Sequence, residues 1–240
     1  MPKALIFAGG TGVRMNSRSK PKQFLELHGK PIIIYTIEHF ERHTEIDEVV
    51  VVCIEEWIPE LKRSIEKHGI KKVNTIVSGG VTAFESIYKG LCTLKETCGN
   101  DEIVLIHDGV RPLITQELIS SNIDCARKNT SAITVDYARE TIISCTDEQQ
   151  VVNVFPREQI KIAKAPQTFI FNNIYNAYKE AYANGEEYID SCELMKSKGF
   201  ELYTVLSSEY NIKITTPSDF YIFRAITDAL ENSQIFGLEP

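Results

Sequence analysis

Apolar residues along this chain come in two alternating rhythms. Short, almost wholly apolar runs of strand length occur at KALIFA (3–8), EVVVVCI (48–54), VNTIVS (73–78), EIVLIHD (102–108) and SAITVDYA (131–138). Such runs suit parallel strands covered on both faces. Between them lie segments with apolar residues at helical spacing: 31–43, 58–69, 83–96 and 115–129. Pro31 is expected at the first position of its helix, and Gly69 closes the next. Thr115 is an N-cap candidate, with Glu117 in the first turn, where a carboxylate suits the helix dipole. Leu118 holds the capping-box position, so that reciprocal bond is absent.

Beyond residue 138 the rhythm changes. The stretch 139–164 places TIIS and VVNVF around the polar CTDEQQ, which predicts a hairpin and not a strand–helix unit. Helices are predicted at 168–185 and 190–199, each closing on Gly, and strands at 201–206 and 210–215. A closing helix is predicted at 216–233, with Thr216 as N-cap and Pro217 at its first position. The order predicts an α/β fold with a doubly wound, mostly parallel sheet and a protruding β-hairpin arm. No Pro/Gly/Ser-rich linker, repeat or low-complexity tract divides the chain, so residues 1–240 read as one domain. Ligands on such sheets sit at the carboxyl ends of the strands. That directs attention to residues 9–22, 79–86, 108–112 and 213–217.

The 240 residues carry a formal charge of -7. That argues against general nucleic-acid binding, which favours a basic face, but not against a small anion in a local basic pocket. No apolar run approaches the ~18 residues of a membrane helix. Six cysteines (Cys53, Cys92, Cys98, Cys125, Cys145 and Cys192) form no C-x-x-C pair, and the N-terminus lacks signal-peptide features. Scattered thiols of this kind predict a reducing, cytoplasmic setting. His39 and His43 are four apart, but Phe40 stands where a zinc H-E-x-x-H site needs Glu, so both are expected as surface histidines. His107 is expected as a packed polar residue.

The opening loop, ALIFAGGTGVRM (4–15), invites comparison with known phosphate loops. The Lys-Ser/Thr pair of a P-loop is missing. A dinucleotide fingerprint needs a third glycine where Met15 stands, and Met15 would prevent the close helix–strand packing that glycine permits. What remains is a glycine loop followed by cations. Gly9, Gly10 and Gly12 leave backbone N–H groups bare for phosphate oxygens. Arg14 adds a planar fork and Lys22 a point charge.

A-G-G-x-G-x-R-M followed by P-K-Q-F-L resembles the start of the polyol-phosphate cytidylyltransferases, a family acting on substrates such as ribitol 5-phosphate and 2-C-methyl-D-erythritol 4-phosphate. GGVTAFES (79–86), HDGVRP (107–112), PRE (156–158) with APQTF (165–169), and YNIKITTP (210–217) resemble further family blocks, in the family order.

The resemblance implies a Rossmann-like nucleotidyltransferase domain that transfers CMP from CTP to a polyol phosphate with release of pyrophosphate. It implies Arg14 and Lys22 as stabilisers of the transition state, and Arg157 and Lys213 as groups that position the acceptor phosphate. Ala8, Gly9, Gly10, Thr11, Gly12, Gly79, Gly80, Ser86, Asp108, Gly109 and Arg111 fall in nucleotide-binding blocks. Asp108 is the implied Mg2+ ligand, and Arg111 is expected to hold its loop by hydrogen bonds. Residues 139–160 match a dimerisation arm that carries Thr141 and Arg157 into a neighbouring subunit of a homodimer. Asp190 is expected to touch the acceptor or cap a helix.

Three departures stand out: Val81 for a frequent Asp, Ala83 for the usual Arg, and Ala165 for the usual Thr. FAGG, VRP and YNIKITTP lean toward ribitol 5-phosphate, with the erythritol phosphate as the alternative. A sugar-1-phosphate nucleotidylyltransferase shares the opening loop but not the Arg157 and NIKIT blocks. A non-catalytic nucleotide-binding protein would have no need of Arg14, Lys22, Arg157 and Lys213 together.

Overall fold

The computed structural model describes residues 1–9 and 20–236, with side chains described as far as residue 232. The chain runs β1 (Lys3–Ala8), the small hairpin β2 (Glu26–Leu27) and β3 (Lys30–Pro31), α1 (Ile32–Arg42), β4 (Glu48–Cys53), α2 (Ile58–Lys67), β5 (Val73–Ser78) and α3 (Ala83–Leu94). It continues through β6 (Ile103–Asp108), α4 (Gln116–Asn129), β7 (Ser131–Tyr137) and the hairpin β8 (Ile143–Cys145) and β9 (Val151–Val154). β10 (Lys161–Ile170), α5 (Phe171–Ala183), α6 (Ser191–Ser197), β11 (Thr204–Leu206) and α7 (Pro217–Phe236) complete it.

Seven strands form one sheet in the order β11-β7-β10-β6-β1-β4-β5. All neighbours are parallel except β10, which runs antiparallel to both β6 and β7. The apolar runs explain the layering. Ala4, Ile6, Val49, Val51 and Leu105 point to one face, against Ile33, Ile37 and Phe40 of α1 and Ile119 and Ile123 of α4. Leu5, Val50, Val52, Val104 and Ile106 point to the other, against Phe84 and Leu91 of α3 and Ile174 and Tyr178 of α5. Each fully buried Leu, Ile or Phe contributes about 1.5–3 kcal/mol from area removed from water. Leu27, Ile32, Val110, Ile214 and Phe223 form a third cluster that seats α7 on the turn after β6.

The local end signals hold at several points. Thr115 caps α4 by accepting from the Leu118 N–H, with Glu117 in the first turn. Gly69 follows α2 with φ 66°. Pro217 opens α7, and Thr216 accepts from the Asp219 N–H.

Other expectations are corrected. Pro31 is the N-cap of α1 and not its first residue, because its ψ of 144° still belongs to the strand that pairs with Glu26. Residues 168–170 are strand. Phe169 is fully buried and pairs with Val104 on one side and Ser131 on the other, so pairing with two neighbours overrides the helical spacing. Within 139–164 only 143–154 forms a separate hairpin, since Lys161–Lys164 belongs to the long strand of the main sheet. Residues 210–215 form no strand; Ile214 docks by donating its N–H to the Val110 carbonyl. His39 is half-buried and His43 buried, so neither is a plain surface histidine. Their Nε2 atoms meet the Pro112 carbonyl at 3.0 Å and the Ser120 hydroxyl at 2.9 Å, and burial lowers both pKa values. His107 is fully buried, as expected. All six cysteines are free thiols.

Gly90 lies inside α3 where that helix crosses the sheet. A Cβ there would meet Leu5 Cδ1 at 2.3 Å and Val52 Cγ2 at 2.9 Å. Gly90→Val is expected to lower unfolding stability by about 1–3 kcal/mol through overpacking. Urea unfolding measures this, and an unchanged midpoint would show that α3 does not rest on β1 and β4 this closely.

Candidate active site

The carboxyl ends of β1 and β6, the bend in β10, and the loops leading into α3 and α6 enclose two adjoining cavities. One, of about 240 Å3, is lined by Ala8, Gly9, Lys22, Thr82 and Ser86 among others. The other, of about 200 Å3, is lined by Arg111, Lys164, Ala165, Gln167, Asp190 and Ser191 among others. Phe7, Ala83, Asp108 and Lys213 line both.

The first cavity owes its shape to bare backbone. A Cβ on Gly9 would lie 2.8 Å from Ser86 Oγ, and one on Gly79 would lie 3.3 Å from the Gly9 Cα. The two loops can therefore touch only as glycines. Ser86, 1% exposed, accepts from the Gly80 N–H at 3.0 Å and donates to the Thr82 carbonyl at 2.8 Å. Thr82 caps α3 by accepting from the Glu85 N–H, and Glu85 accepts from the Val81 N–H. The loop is thus fixed by its own hydrogen bonds. Gln23 Nε2 donates to the Ala8 carbonyl at 2.6 Å, which ties the Lys22–Phe24 turn to the end of β1.

A charged junction divides the cavities. Asp108 Oδ2 accepts from Arg111 Nε at 2.7 Å, and Oδ1 lies 2.6 Å from Lys213 Nζ. Arg111 Nη1 also donates to the Asn211 carbonyl at 3.1 Å, and Asn211 Nδ2 to the Ala165 carbonyl at 2.8 Å. Burial alone would raise the Asp108 pKa, but the Arg111 and Lys213 cations outweigh it and hold the carboxyl well below the usual range. Next door, burial pushes the His107 pKa down to about 3, so this imidazole is neutral. Its Nε2 lies 3.3 Å from the Arg111 carbonyl.

The structure brings many of the expected residues together. Ala8, Gly9, Lys22, Ser86, Asp108 and Lys213 line the first cavity, and Asp108, Arg111, Asp190 and Lys213 the second. Gly79 and Gly80 stand behind the first as the pinned loop. Gly109 donates to the Phe7 carbonyl, and a Cβ on it would meet the Ala8 Cβ at 2.9 Å, so it serves loop crossing and lines neither cavity. Thr141 and Arg157 are exposed on the arm and line neither cavity of their own chain. Gly10, Thr11, Gly12, Arg14 and Met15 lie outside the described residues. Asp190 both caps α6, through the Glu193 N–H, and lines the second cavity.

Gln167 and Lys164 are among the lining residues that went unremarked in the sequence. Gln167 sits within the quoted APQTF, whose Gln was the available signal. Lys164 had none, because its partner Asp136, at 2.8 Å, lies on another strand. Among the described residues, the one group of three potential metal ligands is His28, Asp228 and Glu231, none of which lines either cavity. No helix of the described residues is long and apolar enough to cross a membrane.

A pocket beside the Gly9–Gly79 loop contact, joined through a charged seam to a second pocket at the edge of an α/β sheet, has the layout of a nucleotidyltransferase site. The sequence profile of the family described as IspD: 2-C-methyl-D-erythritol 4-phosphate cytidylyltransferase matches residues 3–229, and the chain belongs to that family. A ribitol-5-phosphate cytidylyltransferase of Vibrio parahaemolyticus serotype O3:K6 is 47% identical over 99% of this chain and 100% of its own. A 2-C-methyl-D-erythritol 4-phosphate cytidylyltransferase of Clostridium botulinum (strain Langeland) is 35% identical, over 94% of this chain and 97% of its own. The crystal structure of 4-diphosphocytidyl-2C-methyl-D-erythritol synthase from Anaerococcus prevotii superposes with a TM-score of 0.81 at 28% identity, over 95% of this chain and 96% of that one.

The Asp108 junction has a stability signature. A carboxyl with a depressed folded pKa contributes stability that is present above its unfolded pKa, near 3.9, and is lost as pH falls through the folded value. Asp108→Asn leaves the Arg111 guanidinium, 8% exposed, without its counter-charge. The expected loss is about 3–5 kcal/mol at pH 7, shrinking below about pH 4. Urea unfolding at several pH values checks this; equal stability of the two proteins at pH 7 would contradict the role given to the junction.

Proposed function

We propose that this enzyme transfers the cytidylyl group of CTP to ribitol 5-phosphate, forming CDP-ribitol and pyrophosphate. One observation carries the reading: two cavities, one beside the Gly9–Gly79 loop contact and one that gathers Arg111, Lys164, Gln167 and Asp190, meet at Asp108 and Lys213. CTP occupies the first, with its phosphates over Gly9 and Lys22. The acceptor occupies the second, with its phosphate at Lys213. An acceptor phosphate oxygen attacks the α-phosphorus of CTP, that P–O bond forms, the bond to the β-phosphate breaks, and pyrophosphate leaves with the electron pair. Such transfer asks the protein mainly to align two anions and offset their repulsion. Lys22 and Lys213 supply fixed positive charge for this, with Arg14 and Arg157 in the matching roles. The greater identity to the ribitol-named relative than to the erythritol-named one supports ribitol 5-phosphate. The family's own description favours 2-C-methyl-D-erythritol 4-phosphate as the second reading.

Mg2+ fits the site at Asp108, an ionised carboxylate that lines both cavities. Lys213, 41% exposed, is able to move off Oδ1 and free it for the ion. When bound there, Mg2+ would offset triphosphate charge together with one carboxylate and the substrate phosphates. The hairpin exposes Ile143, Val151, Val152 and Val154, with Phe155 beside them, each at 38% or more. A second copy covering this arm would form a homodimer and bring Thr141 and Arg157 to the neighbouring cleft. The six free thiols agree with a reducing cytoplasm.

Pyrophosphate release tests the reading. With CTP and Mg2+, ribitol 5-phosphate is expected to give a kcat/KM at least about tenfold above that of the erythritol phosphate, the scale on which pocket shape discriminates such analogues. The reverse preference would overturn the acceptor assignment, and release only with a sugar 1-phosphate would overturn the reaction class. Lys213→Ala should lower turnover by about 10²–10³, as loss of one electrostatic donor does elsewhere; full turnover would remove Lys213 from the mechanism.

A further inference from the structure

The second cavity carries a recognition device that the charged seam does not explain. Most of its polar side chains are already engaged. Asp108 and Arg111 hold each other, Lys164 donates to Asp136 at 2.8 Å, and Ser191 Oγ is 2.9 Å from the buried Tyr178 hydroxyl. Asp190 differs. Its Oδ1 accepts from the Glu193 N–H at 2.9 Å, and its Oδ2 accepts from Gln167 Nε2, also at 2.9 Å. A carboxylate oxygen has two acceptor positions, so each oxygen keeps one unused.

Gln167 fixes that geometry. It is 7% exposed, sits in β10 just after the bend, and its Oε1 accepts from the Cys192 N–H at 2.8 Å. The Cys192 contact sets which end of the amide faces which way, so Nε2 must point at Asp190. The Asp190 carboxylate is thereby held from both sides, on the wall of a cavity of about 200 Å3.

We infer that Asp190 binds a vicinal pair of hydroxyl groups on the acceptor, and that Gln167 is the positioning residue that aims it. Two adjacent O–H groups present two donors at the spacing of one carboxylate's two oxygens. A carboxylate accepts only, so it selects hydroxyls and repels phosphate. The acceptor is therefore oriented, with its phosphate at Lys213 and its diol at Asp190, which leaves the phosphate oxygen facing the nucleotide cavity. This rests on the reading that the acceptor fills the second cavity. It holds for either acceptor named above, since both carry adjacent hydroxyls.

Steady-state pyrophosphate release separates the possibilities. Asp190→Asn keeps a good helix cap, so α6 is retained. It is expected to raise the KM for ribitol 5-phosphate by about 10–100-fold, the scale of lost charge-assisted hydrogen bonds, with the KM for CTP unchanged. Gln167→Met should raise the same KM by about fivefold or more, with kcat and the KM for CTP preserved, whereas a purely structural role would lower kcat or raise the KM for CTP as well. A ribitol 5-phosphate analogue lacking the two hydroxyls farthest from the phosphate should be a poorer substrate of the native enzyme and suffer no further loss with Asp190→Asn. An unchanged acceptor KM in Asp190→Asn, or an equal analogue penalty in both proteins, overturns the inference while leaving the reaction intact. Native enzyme that releases no pyrophosphate with any polyol phosphate overturns the acceptor reading and this inference with it.

Discussion

Asp108, gripped by Arg111 and Lys213, is the interaction on which the site depends. It ends a fully buried strand, so its charge survives only because two cations face it. Arg111 then reaches the Asn211 carbonyl, and Asn211 reaches Ala165 at the bend of β10. Three segments far apart in sequence are thus held to one carboxylate. Lys213, the exposed member, is left projecting over the seam between the cavities. The arrangement leaves a positive charge at the seam, where the proposed reaction brings two phosphate groups together.

The antiparallel strand β10 gives the second cavity its wall. A uniformly parallel sheet would put a strand end and helix start at every position. Running β10 backwards between β6 and β7 instead lays Lys164, Ala165 and Gln167 along the cleft. The register shift between Ala163 and Gln167 turns that stretch out of the ladder. Gln167 can then reach the loop before α6, while Thr168 and Phe169 return to the core.

The central strands and their helices were legible because burial on both faces leaves an unbroken apolar run, and because caps such as Thr115 follow local rules. The first cavity was legible for a related reason: Gly9, Gly79 and Ser86 are demanded by a close approach of two loops. The strand at 161–170 was not, since 161–164 read as part of the hairpin and 168–170 as the start of a helix, and only pairing with β6 and β7 decides them. Pro31 misled because its fixed φ suits a strand end as well as a helix start. His39 and His43 looked like surface residues, as their partners Pro112 and Ser120 are remote in sequence. Lys164 was hidden in the same way, by Asp136 on another strand.

The central claim is that Asp108 and Lys213 act as one unit at the seam. A double-mutant cycle with Asp108→Asn and Lys213→Met, read as kcat/KM for the acceptor, tests it most directly. Residues in contact that work together show coupling of about 0.5–3 kcal/mol, and the account predicts a value above about 1 kcal/mol. Effects that add to within about 0.5 kcal/mol would mean that the two residues act independently, and the seam would lose its role.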